Sequence, residues 1–217
     1  MQNEQPDIHI IGHWNYTDSV IKNMYVVSNC EEVEFFVNGK SKGKVKPENG
    51  FQFLFPNIHF EKGIIKAIGY NNGKEVCNHV LKTAGLPEKL KLTVISSPKG
   101  LLADGSDVAL IDFEVVDADG NRCPLDESRV DFEVSGPCIW RGGYNGGVVG
   151  STNNKYLKTE CGINRVAIRS TLTAGTITIT ARHDAMAPVS VQIVSKPVTI
   201  EGGLMKDSPA TLTGLTK

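Results

Sequence analysis

Thr176-Ile177-Thr178-Ile179-Thr180, followed further on by Val189-Ser190-Val191-Gln192-Ile193, decides the fold. Apolar and polar side chains alternate one for one, so successive residues belong to opposite faces of an extended strand. A strand with one dry and one wet face is the mark of antiparallel sheet. The same period runs back through Val130-Asp131-Phe132-Glu133-Val134. Ile111, Phe113 and Val115 share one face, while Asp112 and Glu114 take the other. No window keeps a helical period for more than two turns. The first half has denser apolar runs: Met24 to Val27, Val33 to Val37, Phe51 to Phe55 and Ile64 to Ile68.

Turn residues punctuate these runs. Asn38-Gly39 separates Val33–Val37 from Lys44-Val45, and Asn71-Asn72-Gly73 separates Ile64–Tyr70 from Lys74–Lys82. Asn and Gly tolerate the positive φ of tight hairpins, so both sites predict hairpins. Asp117-Ala118-Asp119-Gly120-Asn121 closes the strand around Phe113. It faintly resembles a calcium loop, but lacks the further oxygen ligands and terminal Glu such a loop needs. A plain turn is the simpler account of those residue types.

Short strands with turns every ~8–12 residues predict β-sandwiches. Gly and Pro break the pattern at Thr83-Ala84-Gly85-Leu86-Pro87-Glu88. The expected architecture is all-β, with two consecutive immunoglobulin-like antiparallel sandwiches over residues 1–85 and 86–200. Residues 201–217, rich in Ser, Thr and Gly, are expected to form an irregular tail.

The 217 residues carry 23 Lys+Arg against 24 Asp+Glu, a net charge of -1. That balance argues against nucleic acid and a membrane surface as partners, since both select a basic face. The 22 Gly and 10 Pro amount to about 15% of the chain, which fits a turn-rich globular protein. No apolar run approaches the ~18 residues of a membrane span. The polar start, Met1 to Pro6, has no signal-peptide core. Five cysteines, Cys30, Cys77, Cys123, Cys138 and Cys161, have no C-x-x-C spacing and are expected to be small buried hydrophobes.

Catalytic patterns are sparse. There is no G-x-S-x-G elbow, no H-E-x-x-H and no phosphate-binding glycine loop. His9 and His13 on one strand would lie ~13 Å apart, too far to share a metal. No metal or cofactor is expected. Asn3-Glu4 is the one Asn-Glu pair, at a polar terminus with no rigid element to position it. Two aromatic neighbourhoods remain. One is His13-Trp14-Asn15-Tyr16. The other is the glycine-rich run from Ile139 to Gly147, with Trp140, Tyr144 and Asn145. Aromatic faces beside amide and imidazole groups suit sugar contact, because rings stack on C–H faces while hydroxyls take the polar ends. A buried core or interface tryptophan is the competing account of Trp14 and of Trp140.

Several strings together resemble a known family. They are His9-Ile10-Ile11-Gly12-His13-Trp14-Asn15-Tyr16, Glu32-Val33-Glu34 through Asn38-Gly39-Lys40-Ser41-Lys42-Gly43, Lys66 to Tyr70, Lys82 to Gly85, Ala103 to Asp107, Val116 to Asn121 and Ala174-Gly175. In order and spacing, residues 8 to 190 resemble the region after the catalytic barrel in bacterial β-galactosidases of glycoside hydrolase family 2. The resemblance implies that residues 1–85 follow the barrel in a parent enzyme and that residues 86–200 form a bacterial immunoglobulin-like module. It implies retaining hydrolysis by paired glutamates in the barrel, so no catalytic residue carries over to this chain and the chain alone is expected to be inactive. The family's H-W-N-W-like segment corresponds to His13, Trp14, Asn15 and Tyr16, with Tyr in place of the second Trp. These four are candidates for contact with the barrel or substrate cleft. The family's N-G-D corresponds to Asn145, Gly146 and Gly147, with Gly in place of Asp.

The resemblance therefore implies a non-catalytic accessory region whose partner is the parent's barrel, with a β-galactoside or another glycan as a second partner. It also implies a periplasmic or secreted parent, whose leader a fragment starting after the barrel would have lost. A free-standing carbohydrate-binding or cell-surface adhesion module is the alternative. The first sandwich is further expected to present an apolar patch that the barrel covers, with Phe51 to Phe55 and Ile64 to Ile68 contributing.

Overall fold

The computed structural model describes residues 5–198. The stretch 201–217 and the Asn3-Glu4 pair lie outside the described residues. Among the described residues every regular element is a β-strand. The chain divides into two compact units, Met1–Gly85 and Leu86–Lys217.

In the first unit, β1 (Ile8–Ile10), β2 (Ile21–Ser28) and β5 (Gln52–His59) form a sheet in the order β1-β2-β5. Strands β3 (Glu32–Val37), β4 (Lys40–Val45), β6 (Ile64–Asn71) and β7 (Lys74–Lys82) form another in the order β4-β3-β6-β7. All pairs are antiparallel. The hairpins fall at the expected Asn-Gly pairs. Asn38 and Gly39 have φ of 48° and 77°, and Asn72 and Gly73 have 51° and 73°. Two successive positive φ values match the right-handed twist of the flanking strands. Ile10, Met24, Val26, Phe53 and Phe55 from one sheet meet Val33, Phe35, Val37, Ile65 and Ala67 from the other in a single core. Phe35 and Phe55 stack across it at 5.1 Å.

The dense apolar runs are thereby split by the pleat. Phe53, Phe55, Ile65 and Ala67 point inward, whereas Phe51 and Ile64 are exposed. Phe36, Ile64 and Ile68 line an open hollow of about 420 Å³ on the outer face of the β3–β6 pair, bordered by Asn38, Gly39 and Lys66.

Strand β1 is tied to β7 by histidine. The Ile10 N–H donates to His79 Nδ1 at 3.0 Å, and the His79 ring stacks on His9 at 4.6 Å. Burial first, then the His9 ring, hold the His79 imidazole below its ordinary value, against an opposing pull from Asp7. A depressed histidine binds fewer protons folded than unfolded, so its contribution is fully present above the unfolded value of about 6.5 and falls as pH drops toward the folded value. Protonation at Nδ1 also removes the acceptor for Ile10. The melting temperature of the first unit is expected to fall between about pH 7.5 and about pH 5. His79→Asn keeps an acceptor without titrating and should flatten that slope. Parallel pH profiles for the two proteins would refute this lock.

In the second unit, β8 (Lys89–Ile95), β10 (Val108–Val116), β12 (Cys138–Gly143) and β14 (Ile163–Ser170) pair in the order β12-β14-β10-β8. Strands β9 (Leu101–Leu102), β11 (Arg129–Ser135), β13 (Tyr156–Lys158), β15 (Gly175–His183) and β16 (Met186–Lys196) pair as β13-β11-β15-β16-β9. Ile111, Phe113, Val115, Ile177 and Ile179 are all fully buried, and Phe113 meets Phe132 edge-on at 5.0 Å between the sheets. One pairing departs from the antiparallel expectation: the two-residue β9 lies parallel to β16 at the sheet edge, Leu101 opposite Ser195. Strands β10 to β15 lie between the two in sequence and supply the long connection that a parallel pair requires.

The Asp117–Asn121 segment is a turn. Asp117 Oδ1 accepts from the backbone N–H of Asp119 and Asn121 at 3.0 and 2.8 Å, so the carboxylate caps its own loop. The cysteines are not uniformly buried as expected: Cys30 and Cys123 are, Cys77 and Cys138 are half-buried, and Cys161 is exposed. Cys161 sits between strands with a φ of 55°, in a tight reversal that turns its side chain out of the core.

Candidate functional site

The segment from Ile11 to Val20 joins β1 to β2, and its geometry separates the four residues His13, Trp14, Asn15 and Tyr16. Trp14 is 1% exposed and sits in the first unit's own core. Its Nε1–H donates to the Glu61 carbonyl at 2.9 Å, and its ring lies 5.1 Å from Phe60. Burying the indole satisfies its one polar atom within the unit, which is the condition for a core tryptophan. Asn15 ties the segment to the end of the unit: its Nδ2 donates to the Ala84 carbonyl at 3.1 Å, and the Ala84 N–H donates to its Oδ1 at 3.0 Å. His13 and Tyr16 are half-buried. Their rings stack at 4.4 Å, and the Asn15 N–H donates to His13 Nδ1 at 3.2 Å. Tyr16 OH accepts from Lys22 Nζ at 2.7 Å, with the same ammonium 4.6 Å from the ring centroid. The outward part of this segment is thus an imidazole, a phenol and an ammonium, backed by Trp14 and Phe60.

The second candidate group lies in the other unit and is also divided by burial. Trp140, on β12, is half-buried against Phe132 at 5.4 Å, and its Nε1–H is taken by the Asn154 carbonyl at 2.9 Å. Tyr144 is 62% exposed. Asn145 is buried and organises the loop. Its Oδ1 accepts from Lys158 N–H at 3.0 Å, while Nδ2 donates to the Lys158 carbonyl at 2.9 Å and to Glu160 Oε1 at 3.1 Å. Glu160 Oε1 also accepts from Gly146 N–H at 2.6 Å, and Asn145 N–H reaches Ser151 Oγ at 3.1 Å. The loop is therefore held rigidly at its root, with the Tyr144 ring offered to solvent. A residue with a side chain does not fit at Gly142, where a Cβ would lie 2.8 Å from the Asn153 nitrogen at a φ of 64°. Glycine there lets the returning loop press on β12 at the irregularity between Trp140 and Gly142.

Trp140 packs against Phe132, whereas the Tyr144 ring is exposed. Lys22, Glu160 and Ser151 were not singled out by sequence. No spacing marks them: Glu160 is 15 residues from Asn145 and meets it only through the fold. Among the described residues, no three His, Cys, Asp or Glu side chains gather as metal ligands.

Residues 20–77 match a domain of unknown function, DUF4982, and residues 92–192 match glycoside hydrolase family 2 C-terminal domain 5. A β-glucuronidase of Formosa agariphila is 51% identical over 100% of this chain, which spans 22% of that protein. A β-galactosidase of Bacteroides ovatus is 34% identical over 70% of this chain, matching 17% of its own length. Among solved structures, a β-glucuronidase from glycoside hydrolase family 2 superposes with a TM-score of 0.80 at 52% identity, over 94% of this chain and 22% of that one. The chain therefore spans about a fifth of the length of these relatives.

Proposed function

The chain belongs to the C-terminal region of glycoside hydrolase family 2, and from that premise we propose that its own work is non-catalytic: supporting the catalytic barrel of a longer glycosidase, or one wall of that enzyme's substrate cleft. The observation that carries this reading is the match at 51% identity along the whole chain to a β-glucuronidase of which it spans only 22%. The parent enzyme hydrolyses a β-glycoside, with a galactoside and a glucuronide the two substrate classes its named relatives suggest. Retention in such an enzyme needs two carboxyl groups about 5–5.5 Å apart across the sugar, which belong to the barrel.

His13 and Tyr16 are the contact residues in this proposal, with Trp14 and Asn15 as the rigid support behind them. The outward imidazole and phenol can hydrogen-bond across an interface, while the Asn15–Ala84 pair fixes their position. The test is His13→Ala with Tyr16→Ala in the longer enzyme. A several-fold rise in KM for an aryl β-glycoside, or a lowered melting temperature of the whole enzyme, is expected. Unchanged kcat, KM and melting temperature would sink the contact role.

No observation favours the free-standing binding module. The exposed Tyr144 ring is its strongest feature, and a glycan array with the isolated chain is expected to show no reproducible binding.

A further inference from the structure

We propose that Cys30 and Cys77 are a disulfide-forming pair that ties the turn between β2 and β3 to the edge strand β7 of the first unit. Their sulfurs lie 3.4 Å apart, with one thiol hydrogen-bonded to the other. Cys30 is in the turn that follows β2, a strand of the three-stranded sheet, and is 3% exposed. Cys77 is on β7, the edge of the four-stranded sheet, directly opposite Gly69 of β6. Cys30 is equally close in sequence to β3 (Glu32–Val37), and the N–H of its neighbour Glu31 donates to the Tyr70 carbonyl, so a bond would tie the β2–β3 turn to the edge strand β7 and close a loop of 47 residues' separation.

Gly69 gives the independent sign of a built site. A Cβ at that position would lie 2.6 Å from Cys30 Sγ and 2.8 Å from Cys77 Sγ. The space a side chain would fill is occupied by the two sulfurs together. Disulfide formation needs the sulfurs to close to about 2.05 Å, roughly 1.3 Å of travel for the pair.

The chemistry balances with an oxidant of the disulfide class, either a small-molecule disulfide or a disulfide-bearing oxidoreductase. One cysteine thiolate attacks an oxidant sulfur, breaking the oxidant's S–S bond and releasing its first thiol. The second cysteine thiolate attacks the protein-side sulfur of that mixed disulfide, forming the Cys30–Cys77 bond and releasing the second oxidant thiol. The protein loses two protons and two electrons, and the oxidant is reduced to two thiols. Such an oxidant is the ordinary condition of the periplasm or the extracellular space. Burial, and then the bond to Cys30, push the Cys77 thiol up to about 12, so the folded thiol is a poor nucleophile. The pair is therefore set to close while the chain folds, and to resist exchange once closed.

The test uses the whole 217-residue chain, refolded either in a mixture of oxidised and reduced glutathione or in dithiothreitol. Denaturation, alkylation and intact mass then count its thiols. The oxidised sample is expected to show three alkylatable thiols of the five, one Cys30–Cys77 linked peptide, and a melting temperature for the first unit about 10 °C above the reduced sample. Cys77→Ser should abolish that shift. Gly69→Ala should lower the yield of the linked peptide, and if that variant does not fold, the wild-type mapping decides alone. Five alkylatable thiols after oxidative refolding, a linkage through Cys123, Cys138 or Cys161 instead, or equal melting temperatures would overturn the proposal.

Discussion

Trp14→Ala is expected to lower the stability of the first unit by about 3–5 kcal/mol, the range for removing a large aromatic side chain from a packed core. Trp14 is 1% exposed and borders Phe60 at 5.1 Å and Tyr16 edge-on at 6.2 Å. Truncation leaves a cavity behind Tyr16 and removes the donor to the Glu61 carbonyl. Against a total of about 5–15 kcal/mol for a domain, this is a large fraction. For a unit of this size the corresponding drop in melting temperature is roughly 12 °C or more. Trp14→Phe keeps most of the ring volume and loses the N–H bond, so its cost is expected to be smaller. Thermal melts of the three proteins, followed by circular dichroism, check the order. A Trp14→Ala protein that melts like the parent chain would mean the indole is not a core residue, and its whole contribution would then lie in contacts outside this unit.

Phe113→Ala is expected to cost the second unit a similar amount, about 3–5 kcal/mol. Phe113 is fully buried on β10, which is paired on both sides by β8 and β14, so little around it can collapse to fill the gap. The effect should travel outward, because Phe113 supports Phe132 at 5.0 Å and Phe132 supports Trp140 at 5.4 Å. Each unit contains one tryptophan, so in a Trp14→Phe background the emission reports Trp140 alone. A red shift of that emission together with an earlier unfolding transition is the expected result. Tyr144→Ala, at a 62% exposed position, is the control and should stay within about 0.5 kcal/mol. If Phe113→Ala left Trp140 emission and unfolding unaltered, the aromatic chain from core to loop would have no energetic content.

Much of the fold was legible because period two reports burial directly. Ile111, Phe113 and Val115 were placed on one face by alternation, and all three are fully buried. The Asn-Gly hairpins were legible because positive φ selects those residues. The dense runs of the first half were harder. Consecutive apolar residues such as Phe35-Phe36 and Ile64-Ile65 cannot be assigned to a face by pattern, and one of each pair points outward. The candidate site was legible only as a neighbourhood. Tryptophan suits a core and a sugar platform equally by composition, and what separates them is where the indole N–H finds its acceptor. For Trp14 that acceptor is Glu61, 47 residues away, and for Trp140 it is Asn154, 14 residues away.

The amino-acid sequence by itself determined the class of structure, the division into strands and the turns, because each follows from side-chain pattern and backbone preference over a few residues. The tertiary structure alone decided which aromatics face solvent, that Asn145 is a buried organiser of its loop, and that Cys30 and Cys77 meet above Gly69. Those outcomes depend on strands brought together from distant parts of the chain, and local preference carries no information about which sheet a given face will meet.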